Sequence, residues 1–184
     1  MSGNTGFQFK YNLVGRTSGI QRSFLITGSA TITVGDMVRL TSGYIALTAA
    51  ATPILGCVVG FTDKDGIDLS SSRPALSTGV YTASTRTFVA GADNTTVDKV
   101  YALVDIDPFS VWSAAPDAAI GATTGSNLTG YYCDLVATAG DQPDESDTVT
   151  TQQQLFIWGV DPENSSNGLY SIAQHQVFGW TIVT

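Results

Sequence analysis

The sequence predicts an all-β domain, a barrel or sandwich of about a dozen short strands with an extended N-terminal arm. Three observations carry this. The 184 residues include 24 Thr and 16 Val but only two Glu and three Lys. Thr and Val suit a pleated sheet, whereas Glu and Lys normally fill the exposed face of a helix. Apolar runs of strand length recur about every 8–14 residues with turn residues between them, and no segment sustains a 3.6-residue period.

Taken in order, residues 1–19 read as the arm. Gly3, Gly6, Gly15 and Gly19 interrupt it, and Phe7, Phe9 and Tyr11 alternate with polar residues. Such a stretch pairs either as an edge strand on its own domain or with a neighbour's sheet. Residues 20–184 read as a single β domain. Residues 23–27 and 30–34 are two short β-rich runs parted by Gly28-Ser29. Residues 36–41 and 44–48 alternate on either side of Ser42-Gly43, which predicts a hairpin with Val38, Leu40, Ile45 and Leu47 on one face. Residues 54–61 are apolar on both faces, as a doubly buried central strand would be, and Gly56 and Gly60 allow close backbone approach or a bend. Asp63-Lys-Asp-Gly66 reads as a turn. Further strands are expected at 80–83, 86–90, 99–106, 131–136, 155–160 and 176–183. The strand at 155–160 is the second that is apolar on both faces. Residues 113–130 and 140–151 read as loops, and Asn167-Gly168 as a turn.

Charge is scarce and uneven. Charged residues make up 13% of the chain, about half the usual share. Residues 1–99 hold eight cations and six acids, a net +2, whereas residues 100–184 hold ten acids and no Lys or Arg, a net −10. That acidic half disfavours nucleic acid and anionic membrane as partners. No run of about 18 apolar residues exists to span a bilayer as a helix. The first thirty residues show no apolar leader, so synthesis in the cytoplasm is expected. Cys57 and Cys133 lie far apart in apolar runs and read as buried inert thiols.

Candidate chemistry is thin. His175 is the single imidazole, and no G-x-S-x-G elbow accompanies it. One His and two distant Cys do not make a zinc set, so no metal and no cofactor is expected. Residues 63–68 fail calcium-loop spacing, with Gly66 fourth instead of sixth. Asp105, Asp107 and Asp134 are the only acids placed to form a glycosidase-type pair, and aromatic residues do not gather around them. The chain is therefore expected not to be an enzyme.

Two blocks carry a resemblance. Val34-Gly-Asp-Met-Val-Arg-Leu-Thr-Ser-Gly-Tyr-Ile-Ala-Leu-Thr48, followed by Pro53-Ile-Leu-Gly-Cys-Val-Val-Gly60, resembles the head decoration (cement) proteins of tailed phages. In those proteins a G-D-x-V-x-L strand, a turn and an I-L-G-x-x-x-G strand often occur in one block. A weaker likeness to phage virion proteins extends through residues 100–105, 130–134, 156–162 and 168–175. The resemblance implies a β-barrel or β-tulip-like domain, usually a homotrimer, on the capsid exterior of a virion. Its partner would be the major capsid protein, whose subunit contacts it stabilises. The capsid contacts would fall on Phe7, Phe9, Lys10, Tyr11, Arg16 and Arg22, with the Arg-bearing half toward the shell. Trp158, Phe178 and Trp180 would serve an oligomer interface or the core. On that view removal of residues 1–19 weakens capsid binding without unfolding the domain. Two other readings stay open. One is a tail, baseplate or fibre-associated β-domain. The other is a carbohydrate-binding module that stacks sugars on Trp112, Trp158 or Trp180, with Trp112 as the exposed ring.

Overall fold

The computed structural model describes residues 6–50, 52–69, 78–96, 98–117, 128–136, 140–144 and 153–177. These residues form fourteen strands and one short 3-10 turn, Ala92–Thr95. All named strand pairs are antiparallel.

Three sheets share the strands. The six-stranded sheet runs β1 (Gln8–Asn12), β10 (Ser110–Ala114), β14 (Asn164–Ile172), β13 (Leu155–Asp161), β11 (Tyr132–Leu135) and β12 (Pro143–Asp144). The five-stranded sheet runs β2 (Gln21–Leu25), β9 (Tyr101–Asp105), β6 (Gly56–Thr62), β4 (Met37–Thr41) and β5 (Tyr44–Leu47). The three-stranded sheet runs β3 (Thr31–Thr33), β8 (Thr87–Ala90) and β7 (Gly79–Thr82).

The side chains of the middle sheet explain the layering. Successive residues of a strand point to opposite faces. On β4, Met37 enters a cluster with Phe7, Trp112, Leu155 and Tyr170, while Val38 enters another with Ile32, Phe61 and Phe88. Before and along β6 the same alternation holds: Ile54 and Cys57 join the first cluster, Leu55 and Val58 the second. The five-stranded sheet is thus covered on one face by the six-stranded sheet and on the other by the three-stranded one. Its central strands must be apolar on both faces, as residues 54–61 are.

The hairpin forms in the expected register, with Val38 opposite Leu47 and Leu40 opposite Ile45. Its turn places Ser42 and Gly43 at φ 51° and 85°, the left-handed pair that suits a two-residue connection. Gly56 is required by proximity, because a Cβ there would run into the Asp105 carbonyl oxygen. Near Gly60 the β6–β9 register shifts instead, as at a bulge. In the Asp63–Gly66 turn, Asp63 Oδ1 accepts the N–H groups of Asp65 and Ile67, both at 2.9 Å. Cys57 and Cys133 are free and buried, and burial, reinforced by Asp105 and Asp36, raises the Cys57 thiol well above its ordinary range.

Four expectations change. Residues 6–12 do not extend as an arm: Phe7 N donates to Gly35 O at 2.9 Å, and β1 pairs with β10 of its own chain. Residues 110–114 are a fully buried strand between β1 and β14, where the sequence offers Ser and Ala. Its serines are buried with partners: Ser110 Oγ donates to Asp105 at 2.8 Å and Ser113 Oγ to Asp161 at 2.6 Å. Asn167-Gly168 is not a turn, because β14 runs through it and Gly168 pairs with Ala114 and Val160. The chain reverses at Pro162-Glu163, where Asp161 Oδ1 accepts the Glu163 N–H at 2.9 Å. Finally, β13 is buried on one face only. Leu155 and Ile157 face the core, but Trp158 and Val160 are exposed, because the six-stranded sheet is an outer layer. Residues 178–183 of the expected last strand, with Phe178 and Trp180, lie outside the described residues. So does most of the expected 113–130 loop; of the 140–151 loop, Pro143–Asp144 is strand.

Candidate functional site: an aromatic groove on the outer sheet

The outward face of the six-stranded sheet carries a cluster of three aromatic rings. Phe156 and Trp158 alternate with the core residues of β13 and so project outward. Phe156 packs edge-on between two neighbours, with ring centroids 5.3 Å from Tyr132 and 4.8 Å from Trp158. Tyr132 stands directly opposite Phe156 on β11, the cross-strand arrangement in which aromatic pairs stabilise a sheet. The Trp158 indole N–H donates to Ser171 Oγ of β14 at 3.0 Å, which fixes the ring plane.

These rings form one wall of a groove of about 320 Å³. The opposite wall is Leu13, Pro108 and Phe109. That wall is built on a buried polar network. Asp107, 1% exposed, accepts from Asn12 Nδ2 at 2.9 Å and from Arg16 at 2.8 Å through Oδ2, and from Phe109 N at 3.0 Å through Oδ1. Asp105 accepts from Asp107 N at 2.9 Å as well as from Ser110. Leu13 N donates to Phe109 O at 2.9 Å, and Val14 N to Asn12 Oδ1 at 3.0 Å. The N-terminal segment is thus clamped to the Asp107–Phe109 turn, and together they hold Leu13 and Phe109 at the rim. Tyr131, Val14 and Val160, each more than 40% exposed, extend apolar surface beyond the groove.

The sequence-selected residues divide. Phe7 is 3% exposed and lies edge-on to Tyr170 in the core, and Phe9 is half-buried against Trp112. Lys10 pairs with Asp161 at 2.9 Å and Glu163 at 2.7 Å. Desolvation works to raise the Asp161 carboxyl, but bonds from Ser113, the Glu163 N–H and Lys10 outweigh it and hold the group below its ordinary value. Arg16 is spent on Asp107. Tyr11 and Arg22 are exposed, on strands at the edges of the six- and five-stranded sheets. Trp158 is 40% exposed, in the groove. Trp112, expected to be exposed, is 1% exposed and is the largest fully buried side chain among the described residues. His175 is also buried. Its Nε2 lies 3.0 Å from Ile106 O, its Nδ1 accepts the Val177 N–H at 3.1 Å, and burial lowers its pKa.

The chain matches no protein-family model, no curated protein and no solved structure. Function therefore has to be read from the groove itself. Among the described residues, no three His, Cys, Asp or Glu side chains gather as a metal set, and no helix is long and apolar enough to cross a membrane. The acids considered for glycoside chemistry are committed elsewhere. Asp105 and Asp107 hold the turn, and Asp134 is buried within β11 beside Gln154. What the groove offers is contact area: rigid rings, apolar rims, the Tyr132 phenol and the Ser171 hydroxyl that Trp158 already engages.

Of the groove residues, sequence reasoning named only Trp158. Phe156 and Tyr132 lay in expected strands, but their face could not be assigned. Leu13 and Phe109 carried no signal, since their placement depends on a contact between segments about 95 residues apart, as the Asn12–Asp107 bond shows.

Proposed function

We propose that this protein is a virion structural component that binds the outer surface of a phage capsid through the aromatic groove and stabilises contacts between major capsid protein subunits. The observation that carries the reading is the Tyr132–Phe156–Trp158 cluster, with Trp158 exposed and the other two rings half-buried, on an otherwise charge-poor outer sheet. Aromatic anchors with little conformational entropy to lose are the residues that dominate protein contacts. The likeness of residues 34–60 to decoration proteins supplies the particle. A trimer would engage several capsid subunits at once, so that modest contacts of about 800 Å² per partner add through avidity. The groove lining is dominated by apolar and aromatic side chains, with Ser171 already engaged by Trp158, which favours an apolar protein surface over a sugar as the occupant.

The test titrates purified protein onto expanded and unexpanded capsids, assembled from the major capsid protein encoded in the same genome, with imaging of both. Regular decoration of expanded capsids is expected. Trp158→Ser should weaken it by about tenfold or more with an unchanged melting temperature, as loss of an interface anchor does. Absence of binding to either capsid form would overturn the reading. Equal binding by Trp158→Ser would remove the groove from it, and label on tails instead of heads would place the domain elsewhere in the particle.

A further inference from the structure

A second cavity, of about 300 Å³, lies where the three sheets meet, away from the aromatic groove. Phe7 and Phe9 of the N-terminal strand, Val59 of β6, Trp112 of β10 and Arg86 before β8 line it. Its lining is mixed: Phe7, Phe9, Val59 and Trp112 supply apolar wall, with Phe9 edge-on to Trp112 at 5.5 Å, and Gln8 and Arg86 stand among polar surface at least as extensive. Two polar groups at this cavity are open to a ligand: a buried donor and an exposed cation. The Trp112 indole N–H is buried and donates to nothing. The exposed Arg86 guanidinium forms no ion pair among the described residues, and its one hydrogen bond, to Val59 O, is long at 3.5 Å. Among the described cations Lys10, Arg16 and Lys64 are paired with a carboxylate, whereas Arg86 shares with Arg22, Arg39 and Lys99 the absence of an ion pair among the described residues. Arg86 also holds φ at 55°, a conformation that Gly or Asn would adopt at less cost, while its carbonyl accepts the Val34 N–H at 3.0 Å.

We infer that this cavity binds a small monocarboxylate carried on an apolar body about the size of one aromatic ring. A guanidinium at the mouth matches a carboxylate in a planar, two-point geometry. The apolar walls accept the ring, and the unpartnered indole N–H supplies a donor for an acceptor atom deeper in the cavity. Cavities of about this size, where an apolar wall meets a few convergent polar groups, are those that hold small ligands. One guanidinium balances a single negative charge, which favours a monocarboxylate over a doubly charged phosphate ester. The inference is independent of capsid binding.

Phenylacetate, titrated into uniformly 15N-labelled full-length protein, tests it. The three Trp indole N–H resonances are followed, with Trp158→Phe and Trp180→Phe used to assign that of Trp112 by elimination. Saturable movement of the Trp112 resonance is expected. Arg86→Asn, which keeps the left-handed turn, should weaken binding by about tenfold or more through loss of the charge-assisted pair. 2-Phenylethylamine, with the same ring and the opposite charge, should not bind. A parallel titration with N-acetyl-Phe-Asp-amide separates two sources of the same chemistry. Tighter binding of the peptide assigns the site to an acidic residue of a protein segment, and tighter binding of phenylacetate to a free small molecule. No saturable shift with either probe overturns the inference, as does unchanged affinity in Arg86→Asn or equal binding of the amine.

Discussion

Asp36 shows how much one residue carries in a fold with so few charges. It sits at the β3–β4 corner, 7% exposed, with its carboxylate accepting the Thr33 N–H at 2.7 Å. Burial pushes its pKa up to about 6; the Thr33 bond works against this and the charge of Asp141 adds to it. A carboxyl raised in the folded state favours protonation there, so it costs stability above pH 6, and that cost fades as pH falls from about 6 toward 3.8. Asp36→Asn keeps an acceptor for Thr33 and removes the charge. It should stabilise the protein at pH 7 by about 1–3 kcal/mol, with the gain vanishing near pH 4, in urea titrations of both proteins across that range. A gain that is the same at every pH would show that the charge is not the cause. His175 acts in the opposite sense: its lowered pKa means stability is lost as pH falls below 6.5. The difference between variant and parent isolates Asp36 from it.

At the scale of the element, β1 is the instructive case. The strand lies at the edge of the six-stranded sheet, but Phe7, just before it, fills the core between that sheet and the middle one. Phe7→Ala should cost about 3–5 kcal/mol, measured as a shift of the urea midpoint. Removal of residues 1–19 should cost more, since it also uncovers Trp112 and takes Asn12 and Arg16 from buried Asp107. A truncated chain that melts where the full chain does would show that β1 is dispensable. On β6, Gly56→Ala should prevent native folding, because the added methyl meets backbone of β9 and not a side chain that can turn aside. Soluble, cooperatively melting Gly56→Ala protein would contradict this.

Across the whole molecule, the middle sheet belongs to both cores. Val38 and Met37 are neighbours in the chain yet members of different clusters, and the same holds for Val58 and Cys57. Neither core can lose its packing while the shared sheet stays intact. Unfolding should therefore be a single transition, with amide exchange of Phe88 in one core and of Tyr170 in the other reporting the same opening free energy. Two separate values would split the molecule into independent halves. The charge split is also partly internal at this scale. Lys10 and Arg16, from the weakly basic half, neutralise Asp161 and Asp107 of the acidic half. Arg22 and Arg86 remain exposed as cations of the first half.

The sequence by itself determined the β class, the Val38–Leu47 hairpin with its register and the doubly buried strand at β6, because each rests on local periodicity and turn chemistry. It also marked Cys57 and Cys133 as buried thiols. Only the tertiary structure decided which faces lie outside. Residues 54–61 and 155–160 read alike as apolar runs, yet the first is a middle layer and the second an outer one, since a run's composition does not say how many sheets will cover it. It was also tertiary contact that made Ser110–Ala114 a core strand, by giving its hydroxyls buried carboxylates to bind, and that set Trp112 inside and Trp158 outside. Burial is a property of what packs against a residue, and those partners lie far along the chain.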